Sequence, residues 1–106
     1  MTQIDPTADL ITLINVFTVD PAHQQELVDV LVSATEHHIR HREGFISANI
    51  HTSTDGTRVL NYAQWTDVAH FEAMLADPAC RPHLAAAAAL ATYDPHLYTV
   101  TSTHHR

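Results

Sequence analysis

The chain carries strand-like segments with apolar residues on both parities, yet only enough helix to cover one face of the sheet they would form. Successive side chains of a strand point to opposite faces. Over LITLINVFTV (10–19), Ile11, Leu13, Asn15 and Phe17 share one face, and Thr12, Ile14, Val16 and Thr18 the other. RVLNYAQW (58–65) repeats the arrangement, with Leu60 and Tyr62 opposite Asn61, Ala63 and Trp65. One face can pack on helices; the second needs a cover from elsewhere.

The intervening segments fix the order of elements. Asp20-Pro21 supplies an N-cap and a proline at the first helical position. Leu27, Val30, Leu31 and Ala34 recur at helical spacing, predicting a helix to about Arg42 that stops at Gly44. FISANIH (45–51) reads as a second strand, and TDGT (54–57) before the third is a hairpin signal, Asp55-Gly56 being suited to positive φ. Asp67 caps a helix carrying Val68, Phe71, Met74 and Leu75; Pro78 interrupts it, and CRPHLAAAAALA (80–91) continues as a short helix of high intrinsic propensity. HLYTVTS (96–102) is the expected last strand. The order β-α-β-β-α-β predicts an α+β, ferredoxin-like fold with an antiparallel sheet and helices on one face. We expect one domain over residues 1–106, with a core at about 10–102 and flexible tails at 1–9 and 103–106. Ile14, Val16, Leu60 and Tyr62 would stay wet on the open face, so a homodimer is expected to bury them.

Composition narrows the function classes. A hydrophobic share of 45% with 2 Gly and 5 Pro is globular rather than disordered. Lys is absent and 5 basic residues face 12 acidic ones, a net charge of −7, which argues against nucleic acid and anionic membranes as partners. No apolar run approaches a membrane span, and the N-terminus lacks signal-peptide character. The single Cys80 cannot form an internal disulfide, so a cytoplasmic location is expected. Among ten histidines, His37 and His41 are i,i+4 neighbours if the first helix continues that far. They lack a third ligand at zinc-like spacing, and a solvated helix end accounts for them; no metal site is expected.

The polar residues on the helix-facing side admit two readings. Asn15, Asn61 and Trp65 fall there among Leu13, Phe17 and Ala63. Either the two amides bond to each other or to helix ends, or they project into a cavity that takes a polar ligand. A buried polar group without a partner costs about 1–3 kcal/mol, so several together need one of these explanations.

The segments LINVFTVDP, GFISANIH, DGTRVLNYAQW and FEAMLADP, in this order and spacing, resemble the antibiotic biosynthesis monooxygenase family of dimeric α+β barrels. The resemblance covers roughly residues 10 to 102, and the block from Gly44 to Pro78 is its most specific part. It implies a cofactor-independent oxidation of a phenolic, anthrone-type polyketide intermediate, with O2 as co-substrate and no metal, flavin or haem. It also implies a site built from a strand-one Asn, an Asn-x-x-x-Trp pair, a strand-two His, and a Tyr and an Arg from the later helices. Asn15, Asn61, Trp65 and His51 match the first four. Phe71 stands where the tyrosine is expected, and the arginine position falls near Ala85, with Arg81 and His83 as neighbouring substitutes.

The implied chemistry asks for few groups. A deprotonated phenol or enol passes an electron directly to O2, so the protein has to promote deprotonation and hold the oxyanion with fixed donors. On this reading Asn61 and the Trp65 N–H are the donors and His51 the proton acceptor. Asn15, Leu13, Phe17, Phe71, Met74, Leu84, Arg81 and His83 bind the aromatic substrate and exclude water. A strand-end histidine facing solvent is the alternative for His51. Three other functions share this architecture: polyketide cyclisation without O2, haem degradation (for which a helix Trp is needed where Met74 stands, with His83 as axial ligand) and non-catalytic binding.

Overall fold

The computed structural model describes residues 1–106 and contains the expected four-stranded antiparallel sheet. The strands are β1 (Ile11–Val19), β2 (Phe45–Thr52), β3 (Arg58–Trp65) and β4 (Ala91–Tyr98), in the spatial order β2-β3-β1-β4. The helices are α1 (Gln24–His37), α2 (Val68–Ala76) and α3 (Arg81–Leu90).

Local chemistry sets most boundaries. The Asp20 side chain accepts from Ala22 N at 2.9 Å and opens a 3₁₀ turn, Pro21–His23, that leads into α1. Asp67 does the same for α2, accepting from His70 N at 2.8 Å. The first helix is shorter than its periodicity suggests: it ends at His37, His38 leaves helical geometry at φ −132°, and Ile39–His41 forms a separate 3₁₀ turn. His37 and His41 therefore do not share a helix face, and the ring of His41 contacts the Glu36 carbonyl at 3.1 Å. Gly44, at φ +86°, turns the chain into β2 beneath α2, where a Cβ would run into the His70 side chain. Only glycine fits there.

The last strand departs furthest from expectation. β4 begins at Ala91, directly after α3, and ends at Tyr98, whereas residues 96–102 were expected. Pro95 sits within it opposite Asn15. It is tolerated because β4 is an outer strand, paired on one side only, so an outward-facing N–H is no loss. The N-terminal residues are also tied down: Thr2 Oγ1 donates to Asn49 Oδ1 at 2.9 Å, and Gln64 Nε2 donates to the Gln3 carbonyl at 2.7 Å.

Register decides what the helix-facing side carries. Leu13 pairs with Ala63, Asn15 with Asn61 and Phe17 with Val59. Leu13 and Ala63 belong to one buried cluster with Trp65, Phe71, Met74 and Cys80. Phe17 and Val59 belong to a second, with Val19, Leu27 and Ala87. Burying a side chain such as Leu27 or Val59 contributes about 1.5–3 kcal/mol. The core thus comes in two halves, and the asparagine pair lies on the row between them.

Candidate active site

The gap between the two halves of the core is a cavity of about 280 Å³, roofed by α1, α2 and α3 and floored by the sheet. Its floor is the cross-strand row Asn61–Asn15–Pro95, flanked by Leu13 and Phe17. Its roof includes Leu31 and Ala34 of α1, Phe71 and Met74 of α2, and His83 and Leu84 of α3. Ten of its 15 lining residues are hydrophobic, which suits a flat aromatic ligand.

Two polar features stand out against that wall. The Oδ1 atoms of Asn15 and Asn61 are both buried without a hydrogen-bond partner, so the amides bond neither to one another nor, through those oxygens, to a helix end. Directly paired residues on antiparallel strands are about 4.5–5.5 Å apart. A ligand in the cavity therefore meets two carboxamides on one edge. The second feature is His83, half-buried in the first turn of α3, whose ring lies 4.6 Å from that of His38 at a 41° tilt. The lining contains no Asp, Glu, Lys or Arg.

The structure brings together Asn15, Asn61, Leu13, Phe17, Phe71, Met74, Leu84 and His83. Three expected site residues lie apart. Trp65 is on the helix-facing side as anticipated, but it is only 1% exposed and does not line the cavity. Its indole packs edge-on against Phe45 (5.5 Å) and Phe71 (6.1 Å), so it supports the wall from behind. His51 pairs with Leu60 and so shares the open face with Leu60 and Tyr62; it is exposed, with its ring at 3.1 Å from the Asn49 carbonyl. Strand alternation separates it from Asn61, which pairs with Ile50. Arg81 is exposed and outside the cavity.

Other lining residues went unassigned in the sequence. Tyr93 and Pro95 reach the floor because β4 starts earlier than expected, and the Tyr93 ring lies 6.2 Å from that of Phe17. Their alternation with Leu97 was the available signal. Thr35 and Ile39 come from the end of α1 and the turn after it. Beside the cavity, Arg42 donates to Asp77 at 2.8 Å, and Cys80 is fully buried, its thiol pushed up chiefly by burial and then by Asp77. No group of three or more His, Cys, Asp or Glu side chains is arranged to hold a metal ion, and no helix is long and apolar enough to cross a membrane.

Known proteins resemble this chain in both sequence and fold. The family model described as antibiotic biosynthesis monooxygenase matches residues 10–89. Tetracenomycin-F1 monooxygenase of Streptomyces glaucescens is 55% identical over 83 residues, 78% of this chain and 74% of that protein. Among solved structures, SnoaB, a cofactor-independent oxygenase from Streptomyces nogalater, is 33% identical with a TM-score of 0.79, over 91% of this chain and 97% of its own. The monooxygenase ActVA-Orf6 of Streptomyces coelicolor, solved with the ligand nanaomycin D, is 31% identical with a TM-score of 0.81, over 96% of each chain. With the family model matching three quarters of its length and a curated relative 55% identical over 78% of it, the chain belongs to the antibiotic biosynthesis monooxygenase family.

Proposed function

We propose that the protein is a cofactor-independent monooxygenase that oxidises a phenolic, anthrone-type polyketide intermediate with O2 in antibiotic biosynthesis. The observation that carries this reading is the unpartnered asparagine pair on the floor of an otherwise apolar cavity, in a chain 55% identical to a polyketide monooxygenase. SnoaB, similar over nearly its whole length, is a cofactor-independent oxygenase, in keeping with a reaction in which the substrate itself reduces O2.

The site's chemistry follows from its composition. A flat substrate lies between the sheet and the apolar roof, with oxygen substituents against Asn15 and Asn61. Ionised phenol or enol gives one electron to O2; the substrate radical and superoxide then recombine, forming the new C–O bond. The peroxide loses water, so a ring CH2 and O2 become a ring carbonyl and H2O. One oxygen atom stays in the product and no external reductant is needed. The Asn61 amide N–H groups stabilise charge developing on the substrate oxygen, and such preorganised donors act most strongly where water is excluded. The apolar roof keeps the radical pair from solvent.

We assign the open sheet face to a second copy of the chain, and the buried free Cys80 fits a reducing compartment such as the cytoplasm. The direct test is incubation with an anthrone under air and under argon, following quinone absorbance and O2 uptake. One O2 consumed per quinone formed, with no reaction under argon, supports the oxygenase. Equal conversion under argon identifies a cyclase. A Soret band on adding haem, with haem loss under reductant, moves the protein to the haem-degrading class.

A further inference from the structure

We infer that His83 is the catalytic base of this site, taking the phenolic proton of the bound substrate, with His38 as the residue that positions its ring. The inference rests on the oxygenase reading for its substrate class, but it stands on the cavity's own inventory. Of the 15 lining residues only His83 and Tyr93 are titratable, and there is no carboxylate or lysine among them. A phenol's O–H is a poor acceptor of protons near neutrality, whereas imidazole is suited to accept one there. The strand-two histidine, His51, lies on the other face of the sheet.

The setting of His83 favours this role. It sits in the first turn of α3, held there by backbone bonds to Cys80: His83 N donates to the Cys80 carbonyl at 3.1 Å, as does Leu84 N. Its ring lies 4.6 Å from the tilted ring of His38, the residue at which α1 ends. Charged and titratable groups around it are few: His38 from the α1 end, Tyr93 from β4, Arg81 and Cys80 beside it in the chain, and the Arg42–Asp77 ion pair at the turn before α3. Proton bookkeeping is simple. The phenolic O–H bond breaks, its proton goes to an imidazole nitrogen, and the electron pair stays on the substrate oxygen. The imidazolium later gives that proton to the terminal peroxide oxygen. As the O–O bond breaks, the remaining ring C–H proton joins the departing oxygen to complete water and the C–H electron pair forms the carbonyl, so His83 ends as it began.

The test separates proton transfer from oxygen chemistry by using a probe that cannot be oxidised further. 1,8-Dihydroxyanthraquinone changes colour on ionisation, and under argon its spectrum reports whether the bound dye has lost a proton. Wild-type protein should bind the dye in its ionised form at a pH where the free dye is neutral. His83→Gln should bind it within a fewfold of wild-type affinity but in the neutral form. In air with an anthrone, the same variant should lose about a hundredfold in kcat and the acid limb of its pH profile. His83→Ala should recover both signals on addition of free imidazole, which covers the case in which the Gln variant folds badly. His38→Phe, which keeps a ring against His83, should retain the ionised dye, and His38→Ala should lose part of it. An ionised dye in His83→Gln, or an unchanged acid limb, overturns the assignment while leaving the oxygenase intact. A wild type that ionises the dye but consumes no O2 with anthrone keeps the base and rejects the oxygenase; one that does not bind the dye counts against both.

Discussion

Asn61 is a poor residue for the centre of a sheet on stability grounds alone. Its carboxamide oxygen is buried without a partner, and so is that of Asn15 beside it. Each such atom costs about 1–3 kcal/mol, which an apolar side chain of similar shape would avoid. The expected consequence is a trade between stability and activity. Asn61→Leu should raise the midpoint of urea unfolding, while Asn61→Ala and Asn61→Leu both lower turnover by about a hundredfold with a smaller effect on substrate affinity. Loss of turnover without the gain in stability would mean that the amide is satisfied within the folded chain. Trp65 should behave in the opposite way. Being a core side chain against Phe45 and Phe71, its replacement by Phe should cost about 1–3 kcal/mol in unfolding and change turnover by less than tenfold. The site was partly legible at this scale. Two-residue alternation put Asn15, Asn61 and Trp65 on one face, as found, but alternation cannot tell a cavity wall from the packing behind it.

Among the elements, the β2–β3 hairpin is the one whose chemistry predicts a pH response. Asp55 in its loop accepts from the Thr57 hydroxyl at 2.7 Å, the Thr57 amide at 3.0 Å and the Ser53 hydroxyl at 2.8 Å. These bonds, the Thr57 hydroxyl first, lower its carboxyl from 3.8 to about 2. Because the folded value is depressed, the loop's contribution is fully present above the ordinary carboxylate range and is lost as pH falls from about 3.8 through 2. An NMR titration should place the Asp55 midpoint near 2, and Thr57→Val should move it back toward the ordinary value. The same hairpin sets which face His51 occupies. Asp-Gly announces a turn, but the loop runs from Ser53 to Thr57 and sets His51 opposite Leu60 rather than opposite Asn61. Register is a property of the closed loop, which strand periodicity does not contain. The shifted β4 has a related cause: alanine propensity and Pro95 hid a strand start at Ala91, because both signals are local and an outer strand tolerates what an inner one would not.

For the molecule as a whole, the decisive fact is how little of it is buried. Only 14 of 106 residues are buried, and the core is interrupted by the cavity, so a single chain has a narrow margin of stability. The face of the sheet away from the helices carries Ile14, Val16, Leu60 and Tyr62, all half-buried rather than enclosed. Its hydroxyls Thr12 Oγ1 and Tyr62 OH are shielded yet have no hydrogen-bond partner within the chain. The N-terminal residues reach only part of this face, through Asn49 and Gln64. A second copy packed sheet to sheet about a twofold axis would cover the rest, and its own Thr and Tyr hydroxyls would arrive as partners. Light scattering at micromolar concentration should therefore give twice the chain mass of 11.8 kDa. Leu60→Glu places an unpaired carboxylate at the centre of the contact, at a cost of several kcal/mol, and should yield a monomer. Because Asn61 and the cavity are on the other side of the sheet, dye binding by that variant should weaken only as far as the fold itself loosens. A wild-type monomer, or a Leu60→Glu dimer, would show that this face is closed by the chain's own N-terminal segment instead.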